Sequence, residues 1–128
     1  MTIDEPAVVA EVRALFEAYE HALVTNDVAA LDGFFLASAT AIRYGAGENL
    51  TGIEAIRAFR AARPAADLAR TLEHTRITAY GRDCAIASTL FRRASAPGRL
   101  GRQMQTWVRF PLGWRIVAAH VSIIPDLA

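Results

Sequence analysis

The chain has 128 residues, 53% of them apolar and 21% charged, and its formal net charge is +1. That is the size and balance of a single globular domain, residues 1–128, with a core of its own, and it excludes a disordered chain. Near-neutral charge gives no general pull toward nucleic acid, no run approaches the roughly 18 apolar residues of a membrane span, and all 14 basic residues are arginine, which excludes Schiff-base and lysine-base chemistry.

The opening Met1-Thr2-Ile3-Asp4-Glu5-Pro6 is acidic and lacks the apolar run of a secretory signal. With one cysteine, Cys84, no internal disulfide forms, and the expected compartment is the reducing cytoplasm. Cys84 itself reads as a small core residue of an alternating strand.

Residues 5 to 25 carry Val8, Val12, Leu15, Phe16, Tyr19, Ala22 and Leu23 at spacings of three and four, one apolar stripe on a helix. Tyr19 lies within that stripe, so its ring is expected to be buried and its hydroxyl to need a partner. That partner is either a backbone carbonyl or a ligand. Thr25-Asn26-Asp27 ends the helix and caps a short second one through about Phe35.

Ala39-Thr40-Ala41-Ile42-Arg43-Tyr44-Gly45 reads as a strand. Ala39, Ala41 and Arg43 share one of its faces. If that face is inward, the guanidinium needs an anion, since an unpaired buried charge costs several kcal/mol. The strand offers no carboxylate, so a small anionic ligand is the expected counter-ion. An outward arginine with its stem lying on apolar neighbours fits the pattern equally.

Gly45-Ala46-Gly47 marks a turn. Thr51-Gly52-Ile53-Glu54 has the form of a capping box and opens a third helix, Ile53 to Arg63, stopped by Pro64. Arg57, Arg60, Arg63 and Arg70 read as a solvated basic rim.

The period then changes to two. Leu72–Tyr80, Cys84–Arg93, Leu100–Phe110 and Trp114–Ile124 read as four long strands joined by Gly81-Arg82-Asp83, Ala96-Pro97-Gly98 and Pro111-Leu112-Gly113. Such tight links predict an antiparallel meander with helices on one face, an α+β domain whose twisted sheet leaves a pocket. Arg92-Arg93 reads as a strand end at the surface. On the last strand Trp114, Ile116, Ala118, His120 and Ser122 alternate onto one face, which makes His120 either a satisfied core histidine or, with Ser122, a pocket residue. Gln103 and Gln105 share a face with Trp107 and either line the pocket too or face solvent. The three histidines lack ligand spacing and no cysteine or carboxylate cluster joins them, so no metal and no cofactor is expected.

The long helix with Tyr19, two shorter helices and a sheet ending in Gly113-Trp114-Arg115-Ile116-Val117 resemble the NTF2-like (SnoaL-like) superfamily, a cone of three N-terminal helices on a curved, mostly antiparallel sheet. Gly47-Glu48-Asn49-Leu50-Thr51-Gly52, Ala58-Phe59-Arg60-Ala61-Ala62-Arg63-Pro64, Gly101-Arg102-Gln103, Gln105-Thr106-Trp107-Val108-Arg109 and Trp114 through Ser122 are similar to one of its subfamilies. That subfamily contains the decarboxylating amidohydrolase of cyanuric acid breakdown, acting on 1,3-dicarboxyurea, and the oxalurate catabolism proteins. The resemblance implies that Tyr19 and Arg43 are catalytic. It implies a small ureido or carboxylate anion as substrate, a homodimer, and a pathway amidase as a possible partner.

Related NTF2-like isomerases carry a carboxylate base near the position of Arg43, as in the aspartate–tyrosine pairing of ketosteroid isomerase. A cation there argues for holding an anion. Two other readings stay open: a non-catalytic binder of a ureido acid such as oxalurate, and an isomerase or hydratase with Glu48 or Glu73 as base.

Overall fold

The computed structural model describes residues 1–126. Three helices come first: α1 (Pro6–Val24), α2 (Val28–Phe34) and, after the short strands β1 (Ile42–Tyr44) and β2 (Asn49–Thr51), α3 (Ile53–Ala62). Four long strands follow, β3 (Thr71–Tyr80), β4 (Cys84–Arg92), β5 (Arg99–Phe110) and β6 (Gly113–Pro125). They form one six-stranded sheet of order β2-β1-β6-β5-β4-β3. All pairings are antiparallel except β1 with β6, so the sheet is mixed. This is the expected α+β architecture.

The helix boundaries have local causes. Pro6 opens α1, where its missing N–H is no loss. Asp27 caps α2 by accepting from the Ala30 N–H at 3.2 Å. The predicted capping box of α3 does not form. Thr51 belongs to β2, Gly52 takes the N-cap position with φ +89°, and Glu54 pairs with Arg57 instead. The Gly52 N–H donates to the Ala41 carbonyl at 2.7 Å, which ties the start of α3 to the residue before β1.

Burial follows the two periodicities. Val12, Phe16, Leu31, Ile56, Trp107 and Ile116 are all within 2% of full burial and form the centre of one core between the helices and the sheet. At roughly 1.5–3 kcal/mol per buried large side chain, this layer is what keeps α1 and α3 on the sheet.

The last strand carries a bulge. Thr106 pairs with Ala118 and Trp107 with Ile116, so Val117 is one residue too many for the register. An extra residue inverts the alternation beyond it. Trp114 and Ile116 face the core, but after Val117 the inward residues are Ala119 and Val121, and His120 stands exposed on the outer face.

Candidate active site

Tyr19 and Arg43 arrive at one cavity from different elements. The α1 stripe turns Tyr19 toward the sheet, 3% exposed, with its ring edge-on to Phe34 at 5.7 Å. Ala41, just before β1, and Arg43 within it face inward, as the alternation allows. The cavity has a volume of about 180 Å³, below the range of drug-sized sites, and Tyr19, Arg43, Glu48, Arg63, Arg70, Arg93 and Gln103 supply its polar lining. Leu23, Phe59, Leu68, Phe91 and Val121 supply most of its apolar wall.

Arg43 has a carboxylate partner after all. Its Nη1 donates to Glu48 Oε1 at 2.7 Å, across the turn that joins β1 to β2. The expectation of a ligand as its sole counter-ion overlooked this pairing, because Glu48 lies beyond the strand, in the turn. Gly45 makes the pairing possible: a Cβ there would stand 1.7 Å from Glu48 Oε1. The guanidinium also lies over the Phe59 ring at 5.1 Å.

Arg60 is the buried cation the basic-rim reading missed. It is 1% exposed, and its Nη2 donates to the Tyr19 hydroxyl at 2.5 Å. Its Nε and Nη1 are buried without partners, and among the described residues no carboxylate pairs with it. A guanidinium has no acceptor, so the phenol oxygen must accept and its own proton stays free for another group. Burial pushes the Tyr19 hydroxyl up, but the charges of Arg60, Arg43 and Arg70, with the Arg60 hydrogen bond, outweigh it and leave the hydroxyl more acidic than an ordinary tyrosine.

The other arginines of the rim divide. Arg57 is exposed and pairs with Glu54. Arg70 is buried and forms a bidentate pair with Glu20, Nε to Oε2 at 2.7 Å and Nη2 to Oε1 at 2.6 Å. Its Nη2 also donates to Gln103 Oε1 at 3.0 Å, which leaves the Gln103 Nε2 buried and unpartnered. Arg63 donates to Asn26 Oδ1 at 3.1 Å. Arg93 shares the inward parity of Phe91 and turns into the cavity, whereas Arg92 stays at the strand end with Glu73 and Asp126. Phe91 is the platform for two cations, Arg70 at 4.4 Å and Arg93 at 4.9 Å from its ring centre. Gly101 opposite it leaves the room, since a Cβ there would sit 2.1 Å from the ring.

A family model described as AtzH-like matches residues 1–126. The chain belongs to the AtzH-like family. A protein of unknown function from Pectobacterium atrosepticum, of the DUF3225 family, is 57% identical with a TM-score of 0.93, over 95% of this chain and 94% of that one. A cystatin-like fold protein from Burkholderia xenovorans is 46% identical with the same TM-score, over 98% of each chain. An NTF2-like protein of unknown function from Pseudomonas putida, 18% identical over 95% and 96% of the two chains with a TM-score of 0.79, shares the fold alone. No curated protein matches.

In this AtzH-like domain the remaining predicted site residues separate by face. Gln103 lines the cavity. Gln105 is buried outside that lining, its Oε1 accepting from Trp107 Nε1 at 3.0 Å. His120 and Ser122 do not reach the cavity. The Val117 bulge turns both to the outer face, where the His120 ring meets Tyr44 at 6.0 Å and Ser122 accepts from Arg102 Nε at 2.9 Å. Glu73 is held by Arg92 away from the site. Among the described residues no group of His, Cys, Asp and Glu could hold a metal ion, and no helix is long and apolar enough to cross a membrane.

The arginines were legible in one respect. Ile53, Ile56, Arg60 and Arg63 are spaced three, four and three apart, so the α3 stripe that buries the isoleucines also carries Arg60 and Arg63 inward.

Proposed function

We propose that this AtzH-like protein is a cofactor-independent decarboxylating amidohydrolase acting on a carboxylated urea of the 1,3-dicarboxyurea type. The observation that carries the reading is the charge of the cavity. Arg43, Arg63, Arg70 and Arg93 line it, Arg60 donates to the Tyr19 hydroxyl that also lines it, and among the described residues only Glu48 and Glu20 pair with these five guanidinium groups. The excess cations favour a small polyanion. The motif resemblance supports the ureido class.

The chemistry is the loss of carbon dioxide from an N-carboxyl group. The C–N bond breaks, the carboxyl carbon leaves as carbon dioxide, and the electron pair stays on nitrogen, which takes the Tyr19 proton. Arg60 stabilises the resulting phenolate, which water reprotonates. Arg43 clamps a carboxylate and offsets charge on the urea oxygen. The dianion thus becomes a monoanion of the allophanate type.

An isomerase reading needs a free carboxylate base. Glu48 lines the cavity but its carboxylate is engaged by Arg43. A non-catalytic ureido-acid binder uses the same cavity and differs only in turnover. Incubating the protein with 1,3-dicarboxyurea is the test: one carbon dioxide released per substrate supports the reading. Thermal stabilisation by oxalurate with no carbon dioxide above the blank rejects it in favour of the binder.

A further inference from the structure

We propose that Arg63 and Arg93 form a second anion clamp, separate from Arg43, which makes the cavity selective for ligands with two carboxylates. This deepens the proposed function by naming which residues read the second charge.

The cations of the cavity are unequal. Arg43 is paired with Glu48, and Arg70 is pinned between Glu20 and Gln103. Arg63 and Arg93 both line the cavity and, among the described residues, neither has a carboxylate partner. Arg63 has one neutral acceptor, Asn26 Oδ1, and its Nε is buried without a partner. Arg93 rests on the face of Phe91. Fixed stems and unsatisfied donors are what a bidentate carboxylate site requires.

Electrostatics agree. Burial and the neighbouring Arg60 charge lower Arg63 to about 10, and burial with the charge of Arg70 lowers Arg93. Each shift is mainly the cost of burying a cation, with a neighbouring cation adding to it, and a bound carboxylate would offset both. Arg63 hangs from the end of α3 and Arg93 from the end of β4, whereas Arg43 stands on β1, so the two clamps come from different parts of the fold. The distance between them would then select among dianions by length.

Calorimetric titration with malonate and with acetate tests this without reference to turnover. The wild type is expected to bind malonate at least tenfold tighter than acetate. Arg63→Gln and Arg93→Gln are each expected to bring malonate affinity down to that of acetate, and Arg57→Gln, at an exposed arginine outside the cavity, to leave the preference in place. Circular dichroism confirms that each variant is folded, and Arg63→Lys, which keeps the charge, is the second variant should Arg63→Gln not fold. Equal binding of malonate and acetate by the wild type, or an unchanged preference in folded Arg63→Gln and Arg93→Gln, overturns the proposal. A protein that prefers malonate yet releases no carbon dioxide keeps the clamp and loses only the decarboxylase reading.

Discussion

Arg60 donates to the Tyr19 hydroxyl at 2.5 Å across 41 residues of sequence, and it has no carboxylate partner among the described residues. A buried cation whose charge is answered by a phenol favours that phenol's ionised form. This one relationship links the stability of the domain to the proton that the proposed reaction spends.

Arg43→Ala removes the clamp at the β1 end of the cavity. Its expected effect is a fall in kcat/KM of about 10²–10³-fold, comparable to losing one fixed charge-stabilising donor. Steady-state carbon dioxide release measures it. Arg43 is buried while Glu48 keeps a quarter of its side chain exposed, so the loss of stability should lie between that of a surface pair and that of a buried one, about 1–3 kcal/mol by denaturant titration.

Tyr19 titrates below the ordinary value of 10.0. As the proposed proton donor it must be neutral, so the alkaline limb of kcat is expected below pH 10 in a pH–rate profile. The same shift couples to folding. Tyr19 loses its proton more readily folded than unfolded, so it adds stability that is complete above pH 10 and disappears as pH falls through the lowered value. Relative to Tyr19→Phe, the wild type should gain stability as pH rises through that window, read from denaturant midpoints.

Arg60→Met separates activity from stability. Replacing a buried cation with an apolar side chain of similar length is expected to be neutral or stabilising by about 1 kcal/mol, since two of its nitrogens have no partner to lose. The phenol would then titrate higher. Spectrophotometric titration should show the Tyr19 phenolate appearing at higher pH than in the wild type, and the alkaline limb of kcat should move with it. Arg60→Lys should retain part of the shift.

Glu48→Gln removes the carboxylate that competes with substrate for Arg43. One negative charge fewer beside the cavity should tighten malonate binding by about 3- to 10-fold, an effect that shrinks as salt is added. Abolished turnover with unchanged anion affinity would instead mark Glu48 as a base.

His120→Ala should leave carbon dioxide release within about twofold of wild type, since surface changes away from a site have small effects. The ring lies on the outer sheet face against Tyr44.

The sequence revealed the helices and the four long strands, because each follows a period of 3.6 or 2 that burial enforces, but it left Arg43 open between the two faces of β1, since alternation over three residues does not say which face is covered. It concealed β2, whose three residues are too short for a pattern. It misdirected at His120 and Ser122, because one extra residue at Val117 inverts every later position of β6 and leaves no mark in the alternation. Arg70 and Arg93 flank strands β3 and β4, where an arginine reads as a surface residue. Their burial depends on Phe91 over Gly101 and on Glu20 of α1, contacts that exist only after the sheet curls under the helices. Arg60 lies within reach of periodicity, but an arginine on an apolar stripe is, by residue type, far more often a solvated rim residue than a buried one.

The most direct measurement is the rate of carbon dioxide release from saturating 1,3-dicarboxyurea by the wild type and by Tyr19→Phe, both shown to be folded by circular dichroism. The account predicts turnover in the wild type and a loss of about 10²–10⁴-fold in the variant, the usual worth of a positioned proton donor. Near-equal rates in the two proteins would contradict it.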